Sequence, residues 1–111
     1  MAKNDYSPYG KIAPLIAHGV NNIKKKKYVK NDDGSISTVF SMTVNHPWIN
    51  NGMPTNIPSV YDGKKVDERE AVFRAAMSDG AWPAYDDIES AVKDAKKESE
   101  IMDKFRKEFG L

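Results

Sequence analysis

The chain has 111 residues, 40% of them hydrophobic and 30% charged, with 17 basic against 16 acidic side chains for a net charge of +1. That near balance gives no global attraction to nucleic acid or membrane, and the absence of cysteine excludes disulfides and thiolate chemistry. A chain of this length has room for one domain with a modest core.

The charge is unevenly placed. Residues 1–30 carry seven lysines against Asp5, residues 31–63 carry three aspartates and no Lys or Arg, and the remainder carries ten basic against twelve acidic residues. Positive charge is therefore an N-terminal feature. The only apolar run there, Ile12 to Ala17, is too short for a signal peptide and contains Pro14. No stretch approaches the roughly twenty apolar residues of a membrane helix, so a cytoplasmic site of synthesis and no membrane partner are expected.

Residues 1–27 read as an N-terminal arm ending in a lysine run. Tyr6-Ser-Pro-Tyr-Gly10 and Ile12-Ala-Pro-Leu-Ile-Ala17 place proline and glycine where they break a long periodic element, which predicts an extended arm with at most one helical turn. Its Tyr6, Tyr9, Ile12, Leu15 and Ile16 are too apolar for a purely disordered tail and either pack on the domain or lie against another chain. Lys24, Lys25, Lys26 and Lys27, with Lys30 beyond, have two readings. They neutralise phosphates of a nucleic acid, or they form a solvated loop that discourages edge-to-edge strand pairing.

Residues 28–111 read as a single α+β domain. Ser35 to Val44 alternates, with Ile36, Thr38, Phe40, Met42 and Val44 on one face and Ser35, Ser37, Ser41 and Thr43 on the other, which predicts a strand with one buried side. Asn31-Asp32-Asp33-Gly34 is a turn signal that folds Tyr28-Val29-Lys30 back as its partner. The connection Asn45 to Asn56 is long for a hairpin, and its Trp48, Ile49 and Met53 either anchor a partner or fold back over the core. Ile57 to Tyr61 is a short strand ended by Asp62-Gly63, with Pro58 placing it at an edge. A three-stranded antiparallel sheet follows.

Two helices are predicted to cover that sheet. Asp67 caps the first, with Glu70 at the third helical position, and Val72, Ala75, Ala76 and Phe73 supply its inner face up to a stop at Gly80. Ala81 to Tyr85 is an aromatic corner. Asp86 or Asp87 caps a long second helix that runs to Phe109 and Gly110. Its stripe of Ile88, Ala95, Met102 and Phe109, with Ala91, Glu98 and Phe105 beside it, is longer than three strands cover. Met102, Phe105 and Phe109 are therefore expected to overhang and to take a partner helix or to receive the N-terminal arm.

No catalytic set emerges, and neither an enzyme activity nor a cofactor is expected. Asn31 to Ser35 lacks the glycine and the terminal acid of a calcium loop, His18 and His46 share no metal-ligand spacing, and the seven glycines form no phosphate loop. The carboxylate pairs Asp32/Asp33 and Asp86/Asp87 read as turn and cap residues.

Asn31-Asp-Asp-Gly-Ser-Ile-Ser-Thr-Val39, then Ile57-Pro-Ser-Val60 with Asp62-Gly63, Asp67-Glu68 to Ala71, and Ala81 to Ala91 together resemble a small module of tailed-bacteriophage and prophage virion proteins. The likeness covers roughly residues 28–98. The chain differs from that pattern at Phe40, at Ser59 and in the long Asn45 to Asn56 loop. The resemblance implies a structural role without active-site residues: a head, neck or tail component residing in the virion, bound to other virion proteins in many symmetric copies. Tyr6, Tyr9, Ile12, Leu15, Ile16, Trp48, Ile49, Met53, Met102, Phe105 and Phe109 are the residues expected at such contacts. A nucleic-acid-binding accessory that uses Lys24 to Lys27 and Lys30 is the alternative.

Overall fold

The structure, a computed structural model, describes residues 6–34, 36–37, 41–78 and 81–110. The expectations placed on Ser35, Thr38, Val39, Phe40 and Gly80 lie outside the described residues.

The segment expected to be an extended arm is helical. A 3-10 helix at Ser7–Ile12 leads into helix α1, Ala13–Lys24. Pro14 does not interrupt α1 because it sits in the first turn, where its missing N–H would have had no partner and its fixed φ suits the helix. Ile12, Ile16, Val20 and Ile23 then fall on one face and are buried with Met102, partly covered by Tyr6, Tyr9, Ile101 and Phe105. The helix ends in a Schellman motif: Lys26 adopts φ 56°, its N–H donates to the Ile23 carbonyl at 3.1 Å, and the Lys27 N–H donates to the Asn22 carbonyl at 2.8 Å.

The strands form a small α+β domain with short antiparallel ladders, but not one three-stranded sheet. Among the described residues β1 (Val29–Lys30) pairs with β2 (Ile36–Ser37), β3 (Ser41–Val44) with β4 (Thr55–Pro58), and β5 (Val60–Tyr61) with β6 (Lys64–Lys65). The β1–β2 hairpin is the one the turn signal predicts, with Gly34 at φ 87°. Asp62 and Gly63 both take positive φ, the geometry of a two-residue type I′ hairpin, so they turn the chain into β6 and do not end the sheet. The second edge of β4 is satisfied by the segment expected to be only a corner: the Asn56 N–H donates to Pro83 and the Tyr85 N–H to Pro54, with a bridge between Thr55 and Ala84.

Helices α2 (Glu68–Met77) and α3 (Ile88–Glu108) start where their caps predict. Asp67 accepts from the Glu70 N–H at 2.9 Å, and Asp87 from the Ser90 N–H at 2.7 Å. The β3–β4 ribbon lies between them. Val44, Ile49 and Ile57 pack with Ala71, Val72 and Ala75 of α2, whereas the polar face meets α3, where the Asn56 amide donates to the Ala91 carbonyl at 2.7 Å. All four β4 residues are therefore buried, polar ones included. Phe73, expected on the inner face of α2, points outward.

The final turns of α3 do not overhang. Met102 is buried against α1, and Phe105 meets Tyr6 and Tyr9 edge-to-face at 6.3 and 6.1 Å. The inner stripe of α3 consists of Ala91, Glu98 and Met102, with Ile88 exposed at its start and Phe109 44% exposed at its end.

Candidate functional site

The residues expected at partner contacts divide into two groups. Tyr6, Tyr9, Ile12, Ile16, Met102 and Phe105 converge on one another within the chain, and Leu15 and Ile49 are buried. Trp48, Met53 and Phe109 remain exposed. The apolar surface that led to an expected partner for the arm and the helix end is thus largely covered by the α1–α3 contact.

Trp48 stands at the centre of the first candidate surface. It is 68% exposed, yet its loop is fixed from below by buried Ile49 and by the Asn50 amide, which donates to Thr55 Oγ1 and to the Trp82 carbonyl, both at 3.1 Å. The Trp48 N–H donates to His46 Nδ1 at 3.1 Å, and the two rings meet at 5.0 Å. A groove of about 420 Å³ runs from Trp48 to Phe73, edged by Asp67, Arg69 and Glu70. Phe73 is 57% exposed, and Met77, one helical turn further along α2, is 72% exposed. The i, i+4 pair Phe73/Met77 was the sequence signal for this face; assigning Phe73 to the core concealed it.

The lysine run forms a second surface, at the C-terminal end of α1. Lys24 to Lys27 and Lys30 are exposed, and lysines there also suit the negative end of the helix dipole. The β5–β6 hairpin adds to them. Gly63 approaches the backbone of Lys27 and Tyr28, and Asp62 pairs with Lys27 at 3.0 Å, which sets Lys64 and Lys65 beside the run. The hydrogen bond and charge of Lys27, with Arg74 and Lys25 beyond, hold the Asp62 carboxyl below its usual range. Lys64 and Lys65 were legible as part of this surface only once Asp62-Gly63 is recognised as a hairpin turn.

A cleft of about 570 Å³ opens between α1 and α2 next to that basic surface. His18, Tyr61 and Trp82 wall it, with His18 edge-to-face to Tyr61 at 4.8 Å and to Trp82 at 6.4 Å. The Arg74 guanidinium lies 4.7 Å from the Tyr61 ring centre. His18 Nε2 is 2.8 Å from the Val60 carbonyl, which can only accept, so Nε2 carries the proton and Nδ1 is left with a lone pair. Burial pushes the His18 pKa down, partly offset by that bond, and keeps the ring neutral.

Beneath α3 lies a buried polar layer. Thr43 Oγ1 donates to Asn56 Oδ1 and the Tyr85 hydroxyl to Asp94 Oδ2, both at 2.7 Å. Burial, followed by the bond to Asp94, raises the Tyr85 pKa well above its ordinary value. Glu98, 1% exposed, accepts from Ser41, and its Oε2 has no partner. Desolvation pushes its carboxyl up to about 7. No cleft opens onto Glu98 among those lined by the residues named above.

Among the described residues no group of three or more His, Cys, Asp or Glu side chains is placed to hold a metal ion, and no helix is long and apolar enough to cross a membrane. No family model, curated protein or solved structure matches the chain.

Proposed function

We propose that this chain is a non-enzymatic structural or accessory component of a tailed-phage particle that docks onto other virion subunits through the Trp48 face. The observation that carries the docking is the pairing of Trp48 and Phe73 across one groove, with Met77 extending it, on a loop fixed by Ile49 and Asn50. Large, rigid aromatic side chains held out in water are the residues from which interface hot spots are made. The virion setting is supported by the likeness of Asn31 to Val39, Ile57 to Val60 with Asp62-Gly63, Asp67 to Ala71 and Ala81 to Ala91 to the phage module. In a symmetric particle a contact of modest affinity suffices, because many copies engage together. Mass spectrometry of purified particles tests the setting, and incorporation of Trp48→Ala tests the face. Absence of the protein from particles sinks the first, and undiminished incorporation of the variant sinks the second.

A second reading, binding of nucleic acid, is favoured by the placement of Lys64 and Lys65 beside Lys24 to Lys27. It requires DNA binding that weakens steeply with salt and disappears when the lysines become alanine. Lack of any binding at low salt removes it.

A further inference from the structure

We propose that the cleft between α1 and α2 binds a nucleotide, with its base against the aromatic wall and its phosphates directed toward the lysines. The proposal deepens the basic-surface reading above and rests on it for the phosphate path.

Two features of the lining define the ligand class. Aromatic rings of His18, Tyr61 and Trp82 meet edge-to-face and offer a wall for a planar ring. Lys24 from α1 and Arg74 from α2 both line the cleft, and among the described residues no carboxylate does. An anionic group is therefore welcome there and a cation is not. Arg74 is engaged by Glu70 at 2.8 Å and lies 3.9 Å from Asp62, whereas Lys24 makes no ion pair among the described residues, which leaves Lys24 as the nearer free charge.

A simple aromatic acid would satisfy those two features, but the surroundings favour a nucleotide. Neutral His18, with Nε2–H committed to Val60, presents Nδ1 as an acceptor for a ring N–H or exocyclic amine. The volume of about 570 Å³ falls within the range of small-molecule sites. Tyr61 and Arg74 also line an adjoining cleft in which Lys64 and Lys65 stand among Asp62, Asp67 and Glu70, so that side offers no net positive charge. The path for a chain of phosphates therefore runs from Lys24 along the exposed Lys25 and Lys26.

Trp48→Phe leaves Trp82 as the sole tryptophan, a fluorescent reporter inside the cleft. In that background ADP, adenosine, inorganic phosphate and a short single-stranded thymidine oligonucleotide are titrated. Ala17→Leu, which fills the cleft from α1 without altering charge, and Lys24→Ala are compared with it, and far-UV circular dichroism checks each fold. Saturable quenching by ADP is expected, about tenfold tighter than by adenosine or phosphate and weakened about tenfold by Ala17→Leu. If the oligonucleotide behaves in the same way, the ligand is a unit of a strand; if only ADP does, it is a free nucleotide. Equal binding of phosphate and ADP overturns the proposal. Binding of the oligonucleotide that ignores Ala17→Leu also overturns it while leaving the lysine surface intact, and failure of every ligand at low salt removes both readings.

Discussion

The Ser41 hydroxyl on β3 donates to the carboxyl of Glu98 on α3, and this bond joins two elements at a point where the other Glu98 oxygen, Oε2, has no partner. A carboxyl so placed is comfortable when protonated and costly when ionised. Its folded-state pKa of about 7 lies above the ordinary 4.5. Below the unfolded value both states hold the proton and no penalty exists. As pH rises toward the folded value the unfolded chain releases its proton first, so stability falls across that window. A shift of this size corresponds to about 3 kcal/mol. Urea denaturation between pH 4.5 and 8 is expected to show this loss, and Glu98→Gln to flatten it. A stability difference between wild type and Glu98→Gln that stays constant over the window counts against the buried, unpaired carboxyl.

His18 acts in the opposite sense. Burial lowers its pKa below 6.5, so its contribution is intact above the unfolded value and is lost as pH falls, when the unfolded chain takes up a proton that the folded ring resists. His18→Gln places an amide where Nε2 donates to Val60 and removes the titration. Loss of stability on acidification should be smaller in that variant, read by the same denaturation series. An unchanged acid limb would show that His18 is no more shielded than an exposed histidine.

Much of the fold was legible because it is written in local chemistry. Asp67 and Asp87 mark their helices through bonds that span three residues, and Gly34 marks the β1–β2 turn. What was not legible depends on partners distant in the chain. Ser41 and Thr43 look solvent-facing until Glu98 and Asn56 are known to lie opposite them. Pro14 resembles a breaker until its place in the first turn of α1 is seen. Of the candidate sites, Trp48 was legible only as a loop residue that either anchors a partner or folds back over the core, and the cleft unites His18, Tyr61, Arg74 and Trp82 from four separate segments with no shared motif.

Lys26 holds the left-handed position of the α1 Schellman motif, where glycine is usual. A β-carbon there costs about 1 kcal/mol. Lys26→Gly should raise stability by about that amount while removing one charge from the basic surface. Chemical denaturation checks the first effect; a destabilised variant would mean that the lysine side chain contributes more to the native state than the strained backbone takes away.

Asn56 is fully buried and bridges Thr43 on β3 to the Ala91 carbonyl in α3. Truncation leaves the Thr43 hydroxyl and that carbonyl without their partner and opens a cavity. Asn56→Ala should therefore cost about 2 to 4 kcal/mol. Asn56→Asp is the sharper probe, since it keeps the volume but replaces the donor to Ala91 with an acceptor. If both variants unfold at the wild-type urea concentration, the polar layer is not what holds α3 to the ribbon.

Ile16 of α1 and Met102 of α3 are buried in the same cluster. If α1 belongs to the folding unit, Ile16→Ala should cost about 2 to 5 kcal/mol, as should Met102→Ala, since each leaves a void the other helix cannot fill. Because the two side chains share one core, their effects should fail to add by about 0.5 to 3 kcal/mol in a double-mutant cycle. An arm docked only on a neighbouring subunit predicts something different: Ile16→Ala would leave the isolated chain's denaturation midpoint unchanged, and the coupling to Met102 would vanish. Urea denaturation of the isolated chain separates the two outcomes, and the second would return Ile12, Leu15 and Ile16 to the surface available for partners.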